Sequence, residues 1–257
     1  EIICRFMKPL TDEKRKDVFI VDDSLFDRSR SKKAEMLARV FDHCSMKYRS
    51  GFRMLTLGWS DGNSFIPVSY SLLSAAEDKN LLCGGKRHDG RSLAGRRRLQ
   101  SRRKATDVMV ELIHSAQRAG ITAKFVLFDS WFSAPKTILE LKKQEHLDTI
   151  AMMKKSKTKY RYQGERLNVK EIYSRNKKRR GRSRYLLSVL VEIEKDGESI
   201  PAKLVFVRNK SKRKDWLVLV STDISISEEE IIRIYGKRWD IEVFFKACKS
   251  YLKLVKE

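Results

Sequence analysis

The amino-acid sequence predicts a mixed α/β fold, a sheet flanked by helices and interrupted late in the chain by an antiparallel β insertion. Two short apolar runs, VFIV (residues 18–21) and FVLF (125–128), each give way to Asp, the pattern of a buried strand that delivers a carboxylate at its C-terminal edge. A strongly periodic helical segment precedes the second run. From about residue 156 the pattern changes to short β-like pieces separated by charged turns.

In chain order, the first run ends in DDS, which puts Asp22 and Asp23 just past the strand. FRMLTLGW (52–59) and SFIPVSYSLL (64–73) are joined by SDGN, and Asp-Gly between β-rich runs signals a hairpin. The basic stretch 86–104, KRHDGRSLAGRRRLQSRRK, has no apolar periodicity and reads as a loop or weakly ordered arm. ATDVMVELIHSAQRAG then places Val108, Met109, Leu112, Ile113 and Ala116 at helical spacing and stops at Gly120. After the run 125–128, Pro135 opens the next helix and DTIAMM (148–153) supplies another strand.

The pieces YRYQG, YLLSVLVEIEKDG, IPAKLVFVRN and DWLVLVST form the expected insertion, residues 156–220. It separates a first core part, 1–155, from a final long helix within 221–257. Ser227 caps that helix, with Glu230 expected to reach back in a capping box. The sequence starts without Met and closes inside the helical pattern, so it reads as an excerpt of a longer protein.

With 257 residues, 41% of them hydrophobic, the chain can fill a substantial core. Against 33 acidic residues stand 56 Lys and Arg, a formal net charge of +23 that points to a polyanionic partner, nucleic acid first. A membrane-surface protein ranks below, because it would need an amphipathic basic helix or a lipidation signal, and no Gly-led N-terminus or C-terminal Cys motif appears. No apolar run approaches the roughly 20 residues that span a bilayer, and there is no signal-peptide pattern, so an intracellular protein is expected. Cys4, Cys44, Cys83 and Cys248 are far apart and without CxxC spacing, which reads as reduced, mostly buried thiols. His43, His88, His114 and His146 form no triad or ligand pattern.

Three acidic positions stand out by context: Asp22 or its neighbour Asp23, Asp129, and Glu242 on the last helix. Carboxylate oxygens are hard ligands suited to Mg²⁺ or Mn²⁺, and a pair of such ions serves phosphoryl transfer. Three antiparallel strands, helix, strand, helix, strand and a late helix can bring the ends of the first and fourth strands side by side, which is a ribonuclease H-like arrangement. In YGKRWDIEVFFKACK (235–249), Tyr235, Arg238, Glu242 and Lys249 recur at steps of three, four and seven, one narrow face of a continuous helix. The plainer account of that face is a surface helix in which Arg238 and Glu242 form an ordinary i,i+4 pair.

VDDS (21–24), FDSWFS (128–133) and YGKRWDIEVFFKACK together resemble the DDE-triad regions of IS4-type insertion-sequence transposases, whose late helix carries Tyr, two residues, Arg, three, Glu, six, Lys. The resemblance implies DNA cleavage and strand transfer on transposon ends and target DNA, with Asp22, Asp129 and Glu242 holding two Mg²⁺ that Mn²⁺ can replace. It leaves Asp22 and Asp23 as alternatives for the first ligand; period-two alternation with Ile20 favours Asp22. It further implies that Tyr235, Arg238 and Lys249 grip phosphates, that the protein works as a homodimer on DNA in the cytoplasm, and that no membrane is involved.

The runs GRRRLQSRRK (95–104) and RNKKRRGRSR (175–184) are expected to follow the DNA backbone through Arg96, Arg97, Arg98, Arg102, Arg103, Lys177, Lys178, Arg179 and Arg180. Asp129 has a simpler possible role as a turn cap. Trp131 and Phe132 are expected to pack beneath the site rather than stack on bases, with lining of the DNA groove the alternative for either, and Trp216 within the insertion core. Lys154 and Lys155 face DNA or nothing.

Overall fold

The structure, a computed structural model, describes the chain except residues 43, 44, 87, 210, 213, 214 and 255–257 and the side chain of residue 13, so His43 and Cys44 lie outside the described residues. In chain order its main elements are β1 (Val18–Asp27), β2 (Ala38–Asp42), β3 (Lys47–Ser60), β4 (Phe65–Leu73), α1 (Leu93–Ser101), α2 (Ala105–Arg118), β5 (Phe125–Phe128), α3 (Pro135–Lys143) and β6 (Asp148–Met152). They continue with β7 (Lys159–Tyr162), β8 (Glu165–Asn168), α4 (Val169–Arg175), β9 (Tyr185–Lys195), β10 (Glu198–Arg208), β11 (Trp216–Ser221), α5 (Glu228–Gly236) and α6 (Trp239–Tyr251). The fold is mixed α/β, and most of its strand pairings are antiparallel. Among the described residues no helix is long and apolar enough to cross a membrane.

The chain forms two compact units. The first comprises Glu1–Ile20, Ser60–Asn63 and Thr122–Arg238; the second comprises Val21–Trp59, Ser64–Ile121 and Trp239–Glu257.

In the first unit the strand order is β1-β5-β6-β11-β10-β9-β7-β8. All four residues of β5 are buried. Such a strand needs a partner on each edge and cover on each face, and a Val/Leu/Phe run satisfies that where an alternating pattern would not. The partners are parallel: Val18–Ile20 of β1 lie in register with Phe125–Leu127, and Phe125–Phe128 with Asp148–Ala151 of β6. The β5–α3–β6 crossover starts at Pro135 and buries Ile138, Leu139 and Leu141. Beyond β6 every neighbour is antiparallel, and the β9–β10 turn uses Asp196 and Gly197 at φ 52° and 81°. Two successive positive φ values match the twist of the flanking strands, which is why Asp-Gly is favoured there. Gln163 and Gly164 do the same between β7 and β8.

The second unit is built on β3, which pairs with β2, β1 and β4. The five apolar residues expected on one face of α2 are all buried, and Gly120 ends the helix at φ 81°. On α6, Ile241, Phe245 and Cys248 are buried, and Phe244 meets Phe65 of β4 at 5.3 Å between ring centres.

Five local expectations are corrected. The strand expected at 18–21 continues to Asp27, so Asp22 and Asp23 lie within β1; it is the pairing with β5 that stops at Ile20. Half-exposed Asp side chains do not oblige a strand to end, and Leu25 and Phe26 carry it onward. The basic stretch 86–104 is not all loop, because residues 93–101 form α1. Ser92 caps that helix, accepting from the Gly95 amide at 3.0 Å, and buried Gln100 accepts from Ser71 Oγ at 2.9 Å, so a cap and tertiary bonds replace the missing apolar stripe.

The single late helix is two helices, α5 and α6, separated at Lys237 and Arg238. Ser227 does cap α5, but Glu230 does not reach back; its carboxylate binds Arg233 at 2.6 and 2.7 Å and faces Lys16 at 3.3 Å. Of the described cysteines only Cys248 is buried, while Cys4 and Cys83 are partly exposed.

The Arg233 and Lys16 partners hold the Glu230 carboxyl down at about 2. A depressed folded-state pKa contributes stability that is complete above the ordinary value near about 4 and is lost as pH falls through the folded value. Glu230→Gln should therefore lower the urea midpoint at pH 7, and the gap between variant and parent should close as pH drops from about 4 toward about 2.

Candidate functional site

Asp129 follows the last residue of β5, where the chain leaves the buried interior. Its carboxylate accepts the Trp131 amide at 2.8 Å, so the turn-capping role is real. The turn is anchored by Phe132, 3% exposed, whose ring meets Phe128 edge-on at 6.4 Å. Trp131 points the other way and is 52% exposed. Phe132 packs inward as expected; Trp131, the residue before it, faces solvent, because one aromatic already fills the space over β5. Lys154 Nζ lies over the Trp131 ring at 3.8 Å.

The two candidates for the first ligand differ. Asp23 is ion-paired with Arg53. Asp22 accepts the Asp23 amide at 2.8 Å and is half-exposed. Glu242 is half-exposed in the first turn of α6, between buried Ile241 and Phe245, and Lys249 is half-exposed two turns on.

Tyr235 lies on α5 and Arg238 in the break after it, with the guanidinium 5.9 Å from the Tyr235 ring centre. The single continuous face expected for the four signature residues is thus divided: Tyr235 and Arg238 belong to the first unit, Glu242 and Lys249 to the second. Asp129 falls in the first unit, and Asp22 and Asp23 in the second.

Among the described residues no three His, Cys, Asp or Glu side chains already form a cluster that could hold a metal ion. The donor chemistry at Asp22, Asp129 and Glu242 nonetheless fits Mg²⁺: each offers hard carboxylate oxygen from a half-exposed position.

Many of the cations expected along DNA have partners inside the protein. Arg98 grips Glu35 through two bonds and holds that carboxyl down at about 2. Arg97 donates to the Tyr70 carbonyl at 2.9 Å, Arg102 to Asp78 at 2.7 Å and Arg103 to Glu111 at 2.5 Å. Arg96 is exposed. In the second run, Lys178 covers the Tyr173 ring at 4.5 Å and Arg179 the Tyr185 ring at 4.3 Å, while Lys177 and Arg180 are exposed. Trp216 is half-buried, stacked on Tyr173 at 4.5 Å and covered by Lys155 at 4.2 Å. Lys155 also pairs with Asp215, pulling that carboxyl down to about 2.

Sequence reasoning missed Lys237. It is 8% exposed, and its ammonium donates to the backbone carbonyls of Arg15 at 2.5 Å, Lys16 at 3.0 Å and Asp61 at 3.1 Å. Gly62 makes room for it: φ there is +94°, and a Cβ would lie 2.9 Å from Lys237 Cε. This clamp gathers three distant segments of the first unit at the residue where α5 ends. The only signal for it was a lysine between the Tyr and Arg of the signature, which the pattern treats as a spacer.

These features, a strongly cationic α/β chain with a carboxylate just past its fully buried strand, suit a protein that handles a polyanion. A family model described as DDE superfamily endonuclease matches residues 1–214, and the chain belongs to that family. A comparison with curated proteins found no match.

Lys237→Met keeps the stem volume and removes the donor from three carbonyls. It should cost on the order of 3 kcal/mol, read as a lower urea midpoint, because charged hydrogen bonds from a buried group carry about 1.5–3 kcal/mol each before compensation. An unchanged midpoint would show the clamp to be incidental.

Proposed function

We propose that the chain is the catalytic part of an IS4-type DNA transposase with a ribonuclease H-like core and a β insertion at 156–220, cutting and rejoining DNA by in-line phosphoryl transfer. The observation that carries this reading is Asp129 at the open end of the fully buried β5, its carboxylate held by the Trp131 amide, in a chain of the DDE superfamily endonuclease family. Asp22, Asp129 and Glu242 would hold two Mg²⁺, or Mn²⁺ in their place. Asp22 is preferred over Asp23, whose charge Arg53 already balances. When bound, such a pair activates the attacking hydroxyl and neutralises the leaving oxygen.

The chain's own side chains supply the rest. Arg238 and Lys249 offer charge-assisted hydrogen bonds to phosphate oxygens, and Tyr235 offers a hydroxyl donor. Arg96, Lys177 and Arg180, exposed on the basic runs, together with the partnered Arg97, Arg98, Arg102, Arg103, Lys178 and Arg179, would follow the backbone of transposon ends and target. A paired guanidinium keeps its charge, so an internal partner does not remove it from the field a duplex meets. The nucleophile is water, then the freed 3′-hydroxyl, so no Ser, Cys or His nucleophile is needed. Action in the cytoplasm as a homodimer, one copy for each end, completes the proposal.

The word endonuclease in the family description favours a second reading, hydrolysis without joining. Supplying pre-cut ends and a supercoiled target with Mg²⁺ separates the two, since joined product appears only with a transposase. In either reading Asp129→Ala should lower metal-dependent cleavage by about 10³-fold or more, several kcal/mol of lost transition-state stabilisation, while salt-sensitive DNA binding stays near the parent's. Cleavage equal to the parent's would overturn the assignment of Asp129.

A further inference from the structure

Trp131 is an exposed indole in a turn whose packing is already supplied by its neighbour. Phe132 fills the space over β5, and Trp131 keeps 52% of its surface in solvent with an ammonium over its ring. Its position is determinate. The Trp131 amide is tied to the Asp129 carboxylate at 2.8 Å, and Lys154 reaches the ring because both residues lie three positions beyond the paired Phe128 and Ala151 of β5 and β6. An aromatic ring with an ammonium over one face, two residues along the turn from Asp129, brings a stacking surface and a cation together within the first unit.

We propose that Trp131 and Lys154 form a platform for an unpaired nucleotide of a DNA strand, the base stacking on the indole and the phosphate meeting the ammonium, next to the carboxylate where the strand is cut. A base in an intact duplex already stacks on its neighbours on both sides, so the platform selects a frayed or single-stranded residue. The basic runs, which see only phosphate, make no such distinction. An indole under a cation suits this use, because every base has a π-face and the contact needs no particular sequence.

The inference rests on the proposed transposase reading for its location but not for its test, which measures binding without divalent metal. Short oligonucleotides carrying 2-aminopurine, single-stranded or annealed, are titrated with the full chain in EDTA, following base fluorescence and anisotropy together. The parent should quench the single-stranded probe. Trp131→Ala should abolish the quenching and weaken single-strand binding about tenfold with duplex binding unchanged, while Trp131→Phe keeps most of both. Lys154→Gln should reduce the single-strand salt slope by about 0.7. A parent that leaves the probe unquenched, or a Trp131→Ala protein that matches the parent on single strands or loses duplex binding equally, overturns the platform. Quenching by a parent that fails to cut DNA in Mg²⁺ supports the platform and sinks the transposase reading instead.

Discussion

A parallel pairing only three residues long in its described register, Val18–Ile20 against Phe125–Leu127, governs much of what this protein can do. A strand buried on all sides has nowhere to put a charge, so the first polar residue after β5 must come where the sheet opens to solvent. That residue is Asp129. On β1 the same pairing ends at Ile20, and the residue after next is Asp22. The interior thus dictates the earliest point after β5 at which a carboxylate can appear. The cost of misplacing one by a single residue would be a buried, unpaired charge, several kcal/mol at the least.

The cationic excess plays two parts. Pairs such as Arg98–Glu35, Arg102–Asp78 and Lys155–Asp215 secure local structure, yet every internal pair consumes one charge of each sign. Whatever pairs form, 56 basic residues against 33 acidic ones leave the same +23 for a polyanion. The positive field is therefore a property of composition, and the particular side chains that touch phosphate are a property of exposure. Lys237 stands apart from both. Its charge is spent on three backbone carbonyls from two places in the sequence, residues 15–16 and residue 61, which makes it a structural cation inside a stretch otherwise read as phosphate-gripping.

Much of this was legible in the sequence where a local rule decides the outcome. The period of α2, the Asp-Gly turns, Pro135 at a helix start and the continuous run of β5 are each sufficient in a window of a few residues. The rest depended on partners far away. Helix α1 has no apolar stripe and exists through Ser92, Gln100 and Ser71. The late helix breaks where Lys237 is held by carbonyls from residues 15, 16 and 61, none of them visible from residue 237. In the candidate site, Asp129 was plain from its strand, whereas the opposite fates of Trp131 and Phe132 turn on which of two adjacent aromatics meets Phe128.

The central claim is that Asp22, Asp129 and Glu242 act on a common pair of divalent ions. Crystals of the chain with a DNA end, grown in Mn²⁺ and measured for anomalous scattering at the manganese edge, test it most directly. The account predicts two manganese peaks within coordination distance of these three carboxylates. Manganese bound elsewhere, with the three carboxylates bare beside ordered DNA, would contradict it.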